Sequence, residues 1–171
     1  FTISKLFLQL GAKVIIASRT ESLVIKAVKS LSSFGKSYGH QCDIRDLESV
    51  NKFSDWIKNK FKTVDVLVNN AGGQFPSTVT KMSVKGWNAV INNNLNGTFN
   101  MCHTFGNNFF IPQQKGSIVN ITANISRGFP GMAHTGAARA GVENLTKSLA
   151  QEWAEYKIRV NTVAPGTIAT M

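Results

Sequence analysis

The chain has 171 residues, 43 % apolar and 16 % charged, which is enough to bury one sizeable core and too hydrophobic for a disordered chain. No apolar run approaches the ~18 residues of a membrane span, and Cys42 and Cys102 are too far apart for a disulfide scaffold or paired zinc motif, which fits a reducing compartment. The net charge of +10 points to an anionic ligand or surface; the basic residues form no dense tract, so nucleic acid is the weaker reading.

In chain order, Ile3, Leu6, Phe7 and Leu10 follow helical spacing, with Gly11 as a C-terminal cap. Lys13 to Ala17 is a short apolar run of the kind buried on both faces of a parallel sheet. Glu21 to Ser32 reads as an amphipathic helix with Leu23, Ala27, Val28 and Leu31 inward, and Ser37 to Cys42 as a weak strand. Asp46 to Phe61 is helical, with Val50, Phe53, Ile57 and Phe61 on one face, and Val64 to Val68 is a clear strand. Trp87 to Phe110 reads as a long helix and Gly116 to Ile121 as a strand. Ala137 to Tyr156 is a helix with Val142, Leu145, Leu149 and Trp153 in register, before a last strand from Ile158 to Val163. The alternation predicts a doubly wound parallel α/β sheet, Rossmann-like, in a single domain over 1–171. The chain opens in an uncapped helix without an initiator Met or targeting peptide and closes in a loop after a strand. It therefore reads as an internal fragment of a longer protein.

In such sheets ligands bind beyond the carboxyl ends of the strands. Ser18 and Arg19 follow the first strand, where a guanidinium can meet an adenosine 2′-phosphate and an acid would instead hold a free ribose hydroxyl. Arg19 could equally be a solvated residue before a helix. Asp43 and Ile44 follow the second strand; Asp43 could accept from an adenine amino group or cap the helix that begins near Asp46. Asn69-Asn70-Ala71-Gly72-Gly73 follow the third, and small residues there let the backbone approach a ligand closely.

With Asn94-Leu-Asn-Gly-Thr-Phe99, Gly116-Ser-Ile-Val-Asn120, Ala138-Arg-Ala-Gly-Val142, Leu145-Thr-Lys-Ser-Leu-Ala150 and Ile158-Arg-Val-Asn161, these pieces fall in one order along nearly the whole chain. In that order they resemble the short-chain dehydrogenase/reductase family. Asn70 to Phe75, Lys85-Gly-Trp87 and Gly128-Phe-Pro130 with His134 to Val142 look most like its peroxisomal trans-2-enoyl-CoA reductases. The resemblance implies a truncation at both ends. The family's first strand, with its glycine-rich pyrophosphate turn, would lie between Lys13–Ala17 and Val64–Val68, and its last strand follows the end of this chain.

The resemblance also implies the chemistry. Family members protonate a carbonyl with a tyrosine four residues before a lysine; here those positions hold Thr135 and Arg139, and the usual serine falls near Thr122 or Ala123. That departure suits reduction of a carbon–carbon double bond conjugated to a thioester, where the enzyme mainly stabilises an enolate oxygen. The implied catalytic set is Thr135, Arg139 and Asn94, with His134 toward substrate as a relay or a packed ring. Glu143 is read as a same-face ion pair with Arg139. The implied cofactor is NADPH, held by Ser18, Arg19, Asp43, Ile44, Asn70, Ala71, Gly72, Arg139, Pro165, Gly166 and Thr167. The implied substrate is an acyl-CoA, attracted with NADPH by the basic balance and by Arg127, in a peroxisome or else a mitochondrion. The Ala137–Tyr156 helix, which the family uses to pair subunits, implies a homo-oligomer. Two alternatives stand beside this reading: a 2,4-dienoyl-CoA or 3-oxoacyl reductase, and a silent dinucleotide-binding protein.

Overall fold

The structure, a computed structural model, describes residues 1–166 and 168. Five strands, β1 (Val14–Ser18), β2 (Ser37–Gln41), β3 (Val66–Asn69), β4 (Gly116–Ile121) and β5 (Ile158–Val163), alternate with helices α1 (Thr2–Gln9), α2 (Glu21–Leu31), α3 (Leu47–Phe61), α4 (Val84–Ile91), α5 (Gly97–Phe105), α6 (Ile111–Gln113) and α7 (Ala133–Glu152). β1 pairs in parallel with β2, and β3-β4-β5 form a second parallel sheet. No ladder joins β1 to β3 among the described residues. The parallel sheet is thus interrupted between β1 and β3, where the resemblance places the family's absent first strand, and β1, with one hydrogen-bonded neighbour, is half-buried along its length instead of buried on both faces.

Local chemistry accounts for the helices. Asp46 caps α3 by accepting from the Glu48 amide at 3.1 Å, and Ser83 caps α4 by accepting from Gly86 at 3.0 Å. Gly11 takes the left-handed conformation that ends α1, at φ 86°. The inward face of α2 carries Val24 and Leu31, while Leu23 is 58 % exposed, one position away from the expected stripe. The expected long helix runs from Val84 to Gln113 and contains two π-helical segments, Asn92–Asn96 and Gly106–Phe110. α7 begins at Ala133, one turn earlier than its apolar periodicity predicts, so His134 and Thr135 belong to the helix.

The core joins both sheets. Val50, Phe53 and Ile57 of α3 pack with Phe105, Phe109, Phe110, Ile118 and Trp153, and half-buried Ile15 and Ala17 of β1 pack against them. Burying each large side chain contributes roughly 1.5–3 kcal/mol. A polar network threads the same region: Asn69 donates to Asn120 Oδ1 at 2.8 Å, and Asn120 donates to Thr146 Oγ1 at 2.9 Å. Thr146 in turn donates to the Val142 carbonyl at 2.7 Å, and Cys102 Sγ lies 3.3 Å from the Asn69 amide nitrogen. These side chains tie β3, β4, α5 and α7 together with their polar groups satisfied.

Burial pushes the Cys42 thiol up to about 11 and Cys102 up to about 12. An unfolded thiol loses its proton near pH ~8.5. The contribution is therefore fully present below that pH and is lost as pH rises toward those raised values, because only the unfolded chain gains the charge. Urea melts of the wild type should shift to lower midpoints between pH 8.5 and pH 10.5. The shift should be smaller in the Cys42→Ala, Cys102→Ala double variant; identical shifts would contradict the assignment.

Candidate active site

Parallel pairing brings the carboxyl ends of the strands in each sheet to one edge. Beyond β1 and β2, Arg19, Gln41, Asp43, Ser49 and Lys52 line an open cleft of about 500 Å³, with Glu21 and His40 beside them. Gln41 donates to the Arg19 carbonyl at 2.8 Å, and the Asp43 amide donates to Ser49 Oγ at 3.0 Å, so both turns are held by side chains. Ser18, half-buried, ends β1, and its carbonyl accepts from the Cys42 amide at 3.0 Å. Arg19 is exposed and forms no ion pair among the described residues.

Asp43 does not cap α3. Arg45 grips it with Nε at 2.9 Å from Oδ1 and Nη2 at 2.6 Å from Oδ2, and these bonds hold the carboxyl below the usual range. Ile44 is buried; its side chain lies against the Gly97 backbone, where a Cβ would fall 2.6 Å from Ile44 Cδ1, and its carbonyl accepts from Asn100 at 2.9 Å. The loop after β2 is thereby fastened to the start of α5.

The second group gathers where β3, β4 and α7 meet. The π-helical segment Asn92–Asn96 turns Asn94 inward to 1 % exposure, a distortion common at functional sites. Its Oδ1 accepts from the Gly73 amide at 2.9 Å and its Nδ2 donates to the Gly73 carbonyl at 3.0 Å, which clamps the loop after β3. Asn70, Ala71 and Gly72 stay exposed on that loop. At Gly72 a Cβ would sit 2.5 Å from Arg139 Nη2 and 3.1 Å from Asn94 Oδ1, so only glycine lets the guanidinium lie against the loop. Arg139 Nη1 donates to the Ile121 carbonyl at 3.0 Å, and burial pulls its pKa below the ordinary value. The expected Arg139–Glu143 ion pair is not among the described ones: the Ile121 carbonyl takes the guanidinium, and Glu143 accepts from Thr122 Oγ1 at 3.5 Å.

His134 and Thr135, both fully buried, start α7, and Thr135 lies one turn before Arg139 on the same helix. The Thr135 amide donates to His134 Nδ1 at 2.7 Å, with Thr135 Oγ1 3.2 Å from the same nitrogen. Nδ1 is therefore the acceptor, and the neutral ring carries its proton on Nε2. That Nε2 is the buried side-chain nitrogen without a partner among the described residues. The Phe75 ring meets His134 edge-on at 4.6 Å, and the Ser77 amide donates to the Gly131 carbonyl at 2.7 Å, closing the loop after β3 over the start of α7. Arg127 lines an open cavity of about 420 Å³ with Asn124, Ser126 and Gly128 in the loop after β4. Pro165 is half-buried and Gly166 exposed beyond β5, and Thr167 lies outside the described residues.

The structure thus brings Gly72, Asn94 and Arg139 together, sets Thr135 and His134 one turn away on α7, and puts Arg19 and Asp43 in a separate cleft beyond β1 and β2. Sequence reasoning passed over Arg45, and it read Gly73 and Phe75 only as parts of the loop after the third strand, without their partners. Arg45 stands two residues after Asp43 in a turn, a spacing that could have flagged the pair. Gly73 acts through its backbone, and nothing in the sequence places Phe75 against His134.

The family description "short chain dehydrogenase" matches residues 1–171. Among curated relatives, the 3-oxoacyl-(acyl-carrier-protein) reductase FabG of Thermotoga maritima is 36 % identical, over 96 % of this chain and 68 % of its own length. The peroxisomal 2,4-dienoyl-CoA reductase of Danio rerio is 35 % identical, over 99 % of this chain and 57 % of its own. A solved structure described as the citronellol catabolism dehydrogenase AtuB of Pseudomonas aeruginosa superposes with a TM-score of 0.94 at 38 % identity, over 99 % of this chain and 70 % of that one. The chain spans only about half to two-thirds of the length of these curated relatives.

Proposed function

We propose, from the premise that the chain belongs to the short chain dehydrogenase family of NAD(P)(H)-dependent oxidoreductases, that its protein reduces the carbon–carbon double bond of a trans-2-enoyl-CoA with NADPH. The observation that carries this reading is the pair on α7: a buried threonine hydroxyl at Thr135 and a half-buried guanidinium at Arg139, where carbonyl-reducing members place a tyrosine and a lysine.

The residues present fit the cofactor. The cleft beside Arg19 offers a guanidinium without an ion pair among the described residues for a 2′-phosphate, Asp43 lines the same cleft toward the adenine side with Ile44 packed behind it against Gly97, and Asn70 to Gly72 leave the backbone open to close approach. Arg139, Pro165 and Gly166 would hold the nicotinamide side, and Thr167, expected to act with them, lies outside the described residues. When bound, NADPH would supply the hydride to the β-carbon, and solvent water would supply the proton that the α-carbon takes up. Thr135 donates its hydroxyl to the thioester oxygen as negative charge builds there, and His134 Nδ1 holds that hydroxyl in place between turnovers. Arg139 adds a fixed positive charge that does not titrate near neutrality. Asn94 keeps the loop beside the reacting atoms in one position.

We assign the reaction to peroxisomal fatty-acyl metabolism, with residues 1–171 as a single domain of a homo-oligomer paired through α7. A second reading, reduction of a 2,4-dienoyl-CoA, is favoured by the name of the Danio rerio relative. Turnover of the whole protein with trans-2-enoyl-, 2,4-dienoyl- and 3-oxoacyl-CoA, each with NADPH and NADH, separates the readings. NADPH binding with no turnover of any thioester would leave a silent dinucleotide-binding protein.

Arg19→Ala should weaken NADPH binding by about 1.5–3 kcal/mol, the scale of a charged hydrogen-bonding partner, and leave NADH nearly unchanged. Equal losses for both cofactors, measured by titration calorimetry, would overturn the assignment of Arg19 to the 2′-phosphate.

A further inference from the structure

The chain's positive charge collects at the edge of the sheets opposite the candidate active site. Each connection that enters a strand carries an exposed lysine: Lys13, Lys36, Lys62, Lys115 and Lys157. Four of them directly precede the first strand residue, and parallel pairing sends them to the amino ends of β1, β2, β4 and β5. Contacts make this edge continuous across the two sheets. Tyr38, near the start of β2, meets Phe61, at the end of α3, with ring centroids 4.8 Å apart. Gln113 then bridges onward, accepting from the Val64 amide at 3.1 Å and donating to the Val64 carbonyl at 2.8 Å, beside Lys115.

Exposed Lys29, Lys58 and Lys60, near the ends of α2 and α3, add to the same edge. The carboxylates there are Asp65, already bonded to Lys115 at 3.2 Å, and Glu152 and Glu155. Complementing the helix dipole accounts for Lys29, Lys58 and Lys60. It does not account for Lys13, Lys36, Lys115 and Lys157, which lie outside the helices.

The type of cation also divides between the two edges. Arg19, Arg45, Arg127 and Arg139 stand at the carboxyl edge, and Arg159 is the arginine near the amino edge. A guanidinium fork suits individual phosphates and bases, whereas lysine is a mobile point charge suited to a diffuse anionic field. Half-buried Trp56, Phe61 and Tyr38 lie among these lysines, with Lys60 Nζ 5.0 Å from the Tyr38 ring centre and 5.1 Å from that of Trp56. Lysines interleaved with the amphipathic rings of Trp56 and Tyr38 match the headgroup zone of a bilayer.

We propose that the lysine-bearing edge at the amino ends of the strands docks the protein on an anionic lipid bilayer, with the active-site edge facing the solvent. The proposal does not depend on which substrate is reduced.

The test is co-sedimentation of the whole protein with phosphatidylcholine vesicles, with and without phosphatidylserine, at low and raised salt. Binding should require phosphatidylserine and weaken as salt rises. At about fivefold per lysine, Lys13→Glu, Lys36→Glu, Lys157→Glu together should lower the vesicle partition by about 10²-fold or more. Lys81→Glu, Lys85→Glu together, on the loop after β3 and the start of α4 and away from this edge, should retain most of it. Circular dichroism of both variants guards against misfolding, and the salt dependence of the wild type needs no variant. Equal losses in the two variants, or no dependence on phosphatidylserine, would each overturn the proposal.

Discussion

Thr135→Val in the whole protein should lower turnover of a trans-2-enoyl-CoA by about 10²-fold, the scale of losing one donor to a developing oxyanion. Valine matches threonine in shape and removes only the hydroxyl. The site is fully buried, and the Thr135 hydroxyl has His134 Nδ1 as its side-chain partner at 3.2 Å. That nitrogen keeps the backbone amide of residue 135 at 2.7 Å, so the substitution leaves no new orphan and should barely change stability. NADPH affinity should be unchanged, because Thr135 lies away from the Arg19 cleft. Full turnover in the variant would remove Thr135 from the chemistry, whereas a parallel loss of NADPH binding would recast it as a residue that shapes the cofactor site. Thr135→Ser, which keeps the donor, should retain most activity.

Asn120→Ala should destabilise the fold by about 2–4 kcal/mol, among the largest effects expected of any single change here. Asn120 is fully buried and links three elements, accepting from Asn69 at 2.8 Å and donating to Thr146 at 2.9 Å. Without it, the Asn69 side-chain NH2 group keeps only the Cys102 sulfur, a weak acceptor, and the removed amide leaves a cavity. Thr146→Val, which deletes one bond of the same network, should cost less. The double variant should fall short of the sum, since the two residues are bonded to each other and each single change already removes that bond. A urea-midpoint change equivalent to under ~0.5 kcal/mol for Asn120→Ala would show that the network does not hold the sheet to α7.

Local pattern was enough for much of the architecture. β4 and β5 have the bounds their apolar runs imply, and the stripe Val50, Phe53, Ile57 faces the core as helical spacing requires. Periodicity and caps act over a few residues, so a linear reading captures them. The carboxyl-end placement of Arg19, Asp43 and the Asn69–Gly73 loop also follows from alternation alone, because parallel strands joined by helices put every strand exit on one edge. Other features depend on partners distant in sequence. Leu23 is outside because Val24 packs against β2, where Gly39 leaves room for it. Asn94 clamps Gly73 only because a π-helical segment rotates it inward, and Arg139 turns from Glu143 because the Ile121 carbonyl lies within reach. Phe75 meets His134 across a gap of 59 positions. Such pairings are set by which groups remain unsatisfied once the elements pack, and a one-dimensional pattern holds no record of that competition.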